Sequence, residues 1–199
     1  MTKIIFRSAF QYDTILSELA GHKLERDVFK ELDVFVSEMQ KMWDEYNDIF
    51  FSYFESMGIT MPAIWNVYPI HSNGKITSFS EPTTLIMKEN RDEVIATLVH
   101  EVCHVFCGLD QNDVVLSPIW ERVSDAYKEE ELVVREHIFV NVLARAGLRR
   151  IVGQEKAEAL LKMEKDYEGL EKAWRIIDGS RSVAYDEPLK FLEELTEEN

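Results

Sequence analysis

Apolar residues recur at alternating spacings of four and three over residues 24–57, which is the period of one side of an α-helix. These residues are Val28, Leu32, Phe35, Met39, Met42, Tyr46, Ile49 and Tyr53. Gly58 follows, where a C-terminal cap is expected. The pattern predicts one long helix whose apolar seam packs on the protein's own core. The same seam, over residues 28–53, is a candidate homodimer interface.

Three short segments with strand-like composition follow this helix. The first two, MPAIWNVYPI (61–70) and KITSFS (75–80), flank the pair Asn73-Gly74, which tolerates positive φ and favours a tight hairpin. The third segment, TTLIMK, covers residues 83–88. We therefore expect a small antiparallel sheet, with residues 83–88 as its edge strand.

Helical patterns occupy the rest of the chain. Asn90 is a suitable N-cap for a helix that ends near Gly108, and Glu93 completes a sequence that resembles a capping box. Further helices are predicted at 119–146, 154–177 and 187–199. The predicted fold class is α+β, mostly helical, with the small sheet preceding the helix that begins after Asn90.

The chain length of 199 residues indicates a single domain. Within it we expect N-terminal helices over 1–58, a sheet and helices over 59–147, and C-terminal helices over 148–199. The formal net charge of -15 would repel a phosphate backbone, so nucleic acid is not an expected partner. The sequence has no apolar run of about 18 residues and no signal-peptide pattern at its start, so we expect no membrane association and a cytoplasmic location.

Residues 97–106, TLVHEVCHVF, contain the HExxH pattern typical of zinc metallopeptidases. On a helix, His100 and His104 lie about 40° apart, so both imidazoles can reach one metal ion. Glu101 is rotated by about 100° from His100, which suits it to contact a water on the metal. The pattern predicts a Zn²⁺ site with Glu101 as the general base.

A third protein ligand must come from elsewhere, and Glu136 is the first candidate. It lies within an apolar stripe of the predicted helix 119–146, where a carboxylate is costly unless a cation compensates it. The stripe consists of Leu132, Val133, Phe139, Val140 and Leu143. An ion pair with Arg135 or Arg145 is the alternative explanation. Glu129 lies on the same face and could serve as a ligand instead.

Two further residues remain candidates for the third ligand. Asp110 follows the second histidine by six residues, as in zincins that use an aspartate ligand. Cys107 lies on the same helical face as both histidines, although three ligands from two consecutive turns would strain a tetrahedral site. We expect Cys103 and Cys107 to be small packing residues beside the site, unsuited to a disulfide within one helix.

The order of PAIWNVYPI, TTLIMK, DEVIATLVHEVCHVF and VREHIFVNVLARAG resembles the core of minimal gluzincin-type zinc metallopeptidases, and is loosely similar to the ImmA/IrrE-type group. The resemblance covers roughly residues 60–147. It implies a zincin-like fold, peptide-bond hydrolysis by a metal-activated water, and a peptide or protein substrate that pairs with the sheet edge. It also implies that Glu136 is the third ligand.

Such enzymes use an additional donor to stabilise the oxyanion, and His137, Tyr127 and Tyr167 are candidates. His137 lies about 100° from Glu136, so a rigid helix would not direct both at one ion. We expect His137 to be an ordinary interfacial histidine. The alternative function is that of a non-catalytic zincin-like metal-binding protein that acts through protein–protein contacts.

Overall fold

The structure, a computed structural model, describes residues 2–21, 23–24, 27–71, 77–165 and 170–198. Its fold is α+β and mostly helical, which confirms the predicted class. The strands are β1 (Lys3–Phe6), β2 (Ile64–Ile70), β3 (Phe79–Ser80) and β4 (Thr83–Ile86). The helices are α1 (Phe10–Leu19), α2 (Val28–Glu55), α3 (Arg91–Gly108), α4 (Asp113–Ala126), α5 (Leu132–Val152), α6 (Gln154–Lys165), α7 (Glu171–Gly179) and α8 (Pro188–Glu197).

The sheet is mixed, with strand order β1-β2-β4-β3, and not antiparallel as predicted. β2 pairs in parallel with both β1 and β4, and only β3 and β4 are antiparallel. The expected hairpin between β2 and β3 is wrong because β4 lies between them, and Asn73-Gly74 falls outside the described residues. β4 is therefore an inner strand, and the expectation that it forms the edge is also wrong.

β1 was not predicted, since helices were expected throughout residues 1–58. Its outer edge is covered by two side chains of α2, which take the place of another strand. Asn47 Oδ1 accepts a hydrogen bond from the Ile4 backbone N–H at 3.3 Å, and Gln40 Oε1 accepts one from Phe6 at 2.9 Å. Gln40 also donates to the Ile4 carbonyl. This edge is thus unavailable for pairing with a further strand.

α2 confirms the predicted long helix, but its buried face differs from the predicted seam beyond Met39. Leu32, Phe35 and Met39 are buried as expected, whereas Ile49 is 46% exposed. Beyond Met39 the buried apolar residues are Trp43, Phe50, Phe51 and Phe54, and the three phenylalanines pack with Phe106 of α3. The seam thus contributes to the protein's own core, and the homodimer through this helix stays a prediction.

The helix predicted over 119–146 is two helices, α4 and α5, because the chain turns at residues 127–131. α5 packs against both α2 and α3. Gly147 permits the contact with α2: a Cβ at this position would lie 2.7 Å from Cε2 of Phe50. α5 therefore has one face fixed against α2 while another face approaches the HExxH residues of α3. None of the described helices is long and apolar enough to cross a membrane.

Candidate metal centre

α3 carries the HExxH residues and begins as the sequence predicts. Asn90 is the N-cap, and its side chain accepts a hydrogen bond from the Asp92 backbone N–H at 3.1 Å. The Asn90 amide also donates to the Glu93 carboxylate. This cap gives a hydrogen-bond acceptor to a backbone N–H of the first turn, which has no partner within the helix, and it fixes where the helix starts. The register of the histidines within the fold follows from that start.

Three histidines come together between α3 and α5. His100 and His104 lie one turn apart on α3, with 3.2 Å between their Nε2 atoms. The ring of His137, from α5, lies 5.5 Å from the His100 ring and 5.0 Å from the His104 ring between centroids. One ligand atom from each histidine lies within 4.8 Å of the others, so the three could hold a metal ion. No other such group occurs among the residues that the structure describes.

His137 is held in a defined tautomer. Its Nδ1 lies 2.7 Å from the carbonyl oxygen of Val133, one turn earlier on α5. A carbonyl oxygen only accepts, so Nδ1 carries the hydrogen, and in the neutral ring Nε2 keeps its lone pair. Metal-binding histidines commonly have this arrangement, in which the second ring nitrogen donates to a backbone carbonyl.

The surroundings keep the imidazoles of α3 neutral. Burial, followed by the charges that His104 and His137 would carry, holds the pKa of His100 well below its usual value. Burial and then His137 lower the pKa of His104 to about 4. Both rings are therefore unprotonated at neutral pH, which is the form that binds a metal.

Glu101, next to His100, is 8% exposed. Burial raises the pKa of its carboxyl to about 7, and no charge or hydrogen bond from the described residues opposes this effect. An unpaired buried carboxylate is costly for folding, so its presence directly after His100 on α3 suggests a chemical role. A carboxyl with a pKa near neutrality can both accept and release a proton at physiological pH.

A cleft of about 360 Å³ opens beside His104. Its apolar lining comes from Leu116, Trp120, Phe139 and Val140, and two carboxylates, those of Asp113 and Glu136, also line it. No lysine or arginine lines this cleft among the described residues. A cleft of this size is within the range that holds a ligand or a substrate side chain.

The structure does not bring Glu136 into the group of three histidines, and Glu129 and Asp110 are also absent from it. All three of these side chains are exposed. Glu136 lines the cleft next to His104 instead, while Asp110 lies in a short 3-10 turn after α3. Arg145, considered as an ion-pair partner of Glu136, binds Asp178 at 2.6 Å. Cys103 is buried and Cys107 is exposed, and neither is in a disulfide.

The rotation of α5 about its axis explains why His137 occupies the inward position. At the start of α5, Leu132 is 54% exposed and Val133 is 42% exposed, whereas Val134 and Ile138 are buried. The inward side at this level is therefore the side of Val134 and Ile138, and Glu136 lies about 160° from Ile138. The apolar stripe that was predicted to surround Glu136 is buried only further along the helix, at Phe139, Val140 and Leu143.

His137, expected to be an ordinary interfacial histidine, belongs to the group of three histidines that could hold a metal ion. The signal that could have identified it is its residue type, since it is a third imidazole on a helix that also carries the other candidate ligand. Of the other oxyanion candidates, Tyr127 donates its hydroxyl to the Leu195 carbonyl at 3.3 Å, and Tyr167 lies outside the described residues.

No protein-family model, curated protein or solved structure matches this chain.

Proposed function

We propose that this protein is a zinc-dependent peptidase in which His100, His104 and His137 hold the metal and Glu101 is the general base. The observation that carries the proposal is the meeting of three imidazoles, with the buried carboxyl of Glu101 directly after His100 on α3 and without a partner among the described residues. Three nitrogen ligands that leave a fourth position open are typical of catalytic zinc sites. A bound zinc ion would supply a Lewis acid and lower the pKa of a water molecule at the site.

Glu101 would take the proton from the attacking water and pass it to the nitrogen of the leaving amine. A pKa of about 7 suits both steps, because the carboxylate must first accept a proton and then release it. His137 keeps its Nε2 available by donating from Nδ1 to Val133. The cleft beside His104 would receive a side chain of the peptide.

The proposal is tested by comparing the wild type with Glu101→Gln, both loaded with zinc. We expect both proteins to bind one zinc ion, measured by elemental analysis. Cleavage of a complex peptide mixture, followed by mass spectrometry, should fall by about 10²–10⁴-fold in Glu101→Gln, because the variant cannot accept the proton.

Glu129→Gln is the matched control, since it also neutralises a carboxylate but is exposed and lies outside both the histidine group and the cleft. Zinc binding without cleavage by the wild type would favour the non-catalytic metal-binding alternative. Equal cleavage by the wild type and Glu101→Gln would remove the proposed mechanism. A wild-type protein that binds no zinc would remove both functions.

A further inference from the structure

Asn141 is a fully buried amide on α5, with 0% of its surface exposed. Neither its Oδ1 nor its Nδ2 has a hydrogen-bond partner among the described residues. Leaving a buried polar group unpaired is costly for folding, and native proteins pair nearly all such groups. A leucine would serve the packing of α5 better, so packing alone does not account for this residue.

Asn141 lies one turn after His137, and residues four apart on a helix share one face. Their Cβ atoms are about 5–6 Å apart in such a pair. α5 packs along α3, and the His137 ring stacks on the His100 ring at an interplanar angle of 24°. The amide is thus the next polar group on the α5 face that carries His137.

The ring nitrogens of the cluster have different surroundings. His100 directs Nε2 at Nε2 of His104, 3.2 Å away, so its Nδ1 lies on the far side of the ring, away from that contact. His137 already donates from Nδ1 to Val133. A histidine that binds a metal through Nε2 carries a hydrogen on Nδ1, and that hydrogen normally has an acceptor.

We propose that Asn141 is a positioning residue of the metal centre, whose Oδ1 accepts a hydrogen bond from Nδ1–H of His100 when a metal occupies Nε2. This bond fixes the tautomer and the orientation of the ring that is least exposed of the three. The inference rests on the proposed metal site. In this arrangement the Asn141 amide oxygen has a partner in the metal-loaded protein, whereas in the metal-free protein the amide is unpaired and lowers stability.

The proposal makes two predictions of opposite sign for Asn141→Leu. The metal-free variant should melt about 2–4 °C above the wild type, because the unpaired amide is gone. Its zinc affinity, measured by competition with a chromophoric chelator, should fall about 10–100-fold. A residue that only fills space would not raise stability and lower zinc affinity together.

Two further variants complete the experiment. Asn141→Asp keeps an acceptor at this position, so its zinc affinity should stay within a few-fold of the wild type while the metal-free protein loses stability. Asn47→Leu is the matched control: the Asn47 amide is buried but fully bonded, accepting from Trp43 Nε1 and donating to the Thr2 carbonyl. It should lower the melting temperature and leave zinc affinity unchanged.

The outcomes separate the two proposals. Absence of zinc binding by the wild type contradicts the proposed function. Zinc binding by the wild type with an unchanged affinity in Asn141→Leu overturns the role of Asn141 alone. An Asn141→Leu variant that fails to fold contradicts the stability prediction, and a tenfold loss of affinity in Asn141→Asp contradicts the acceptor role.

Discussion

The rings of His100 and His137 lie nearly parallel, with 24° between their planes and 5.5 Å between their centroids, although they belong to different helices. This contact depends on how α5 is rotated against α3. A rotation of about 100° would direct Glu136 inward in place of His137. Which of the two side chains joins His100 and His104 is therefore a property of helix packing.

His137→Ala should lower zinc affinity by at least about 100-fold, because removing a ligand costs more than removing one of its supporting hydrogen bonds. Glu136→Gln should change it by no more than about threefold, since the Glu136 side chain is exposed and outside the histidine group. Competition with a chromophoric chelator measures both. The opposite ranking of the two variants would make Glu136 the third ligand.

The cleft beside His104 should favour peptides that place a large apolar side chain next to a lysine or arginine. Its walls are apolar, and the carboxylates of Asp113 and Glu136 attract positive charge. The double variant Asp113→Lys with Glu136→Lys should shift the preference towards acidic neighbours by about tenfold. Sequencing the products from a peptide library measures the preference, and zinc affinity measured alongside shows whether the metal site is intact. An unchanged preference would exclude these carboxylates from substrate selection.

Gly147→Ala should destabilise the protein by about 1–2 kcal/mol, although alanine is the better helix former by about 1 kcal/mol. The added Cβ would lie 2.7 Å from Phe50 and 3.1 Å from Phe54, so α5 and α2 would have to move apart. Gly108→Ala is the control, because nothing lies within 4 Å of the Cβ there. Urea unfolding gives both values. Equal stability of Gly147→Ala and the wild type would show that the aromatic rings yield at little cost.

Asp13 should make stability depend on pH. It is fully buried on α1, and both carboxylate oxygens accept from the His71 backbone N–H. Burial raises the pKa of Asp13, and the hydrogen bond and charge of His71, with the Ser17 hydroxyl, oppose that rise only in part. Because the folded-state pKa is raised, the contribution of Asp13 to the stability of the folded protein is fully present below the unfolded-state pKa. The contribution is lost as the pH rises through the folded-state pKa.

Asp13→Asn stays neutral at every pH, so its stability relative to the wild type should improve between about pH 4 and pH 7. Urea unfolding of both proteins at the two pH values measures the difference. Asp44→Asn, on the exposed side of α2, controls for the loss of one negative charge. A relative stability of Asp13→Asn that worsens towards pH 7 would mean that the hydrogen bonds to the charged form outweigh burial.

Local sequence signals predicted the parts of the fold that depend on local interactions. Asn90 and Glu93 located the start of α3, because a cap acts within the first turn. The meeting of His100 and His104 followed from helical periodicity alone. The long helix α2 was equally evident, although the choice between Met42 and Trp43 as the buried residue was not, since both lie on a broad apolar face.

Only the tertiary structure decided which distant elements meet. The strand order β1-β2-β4-β3 depends on crossover connections, and the amino-acid composition of a strand does not indicate which strands it pairs with. That His137, and not Glu136, lies with His100 and His104 depends on which side of α5 is covered at its first turns, and that side differs from the side covered further along the same helix. A single sequence indicates the period of each helix. The rotation of that helix about its axis is set by the elements against which it packs.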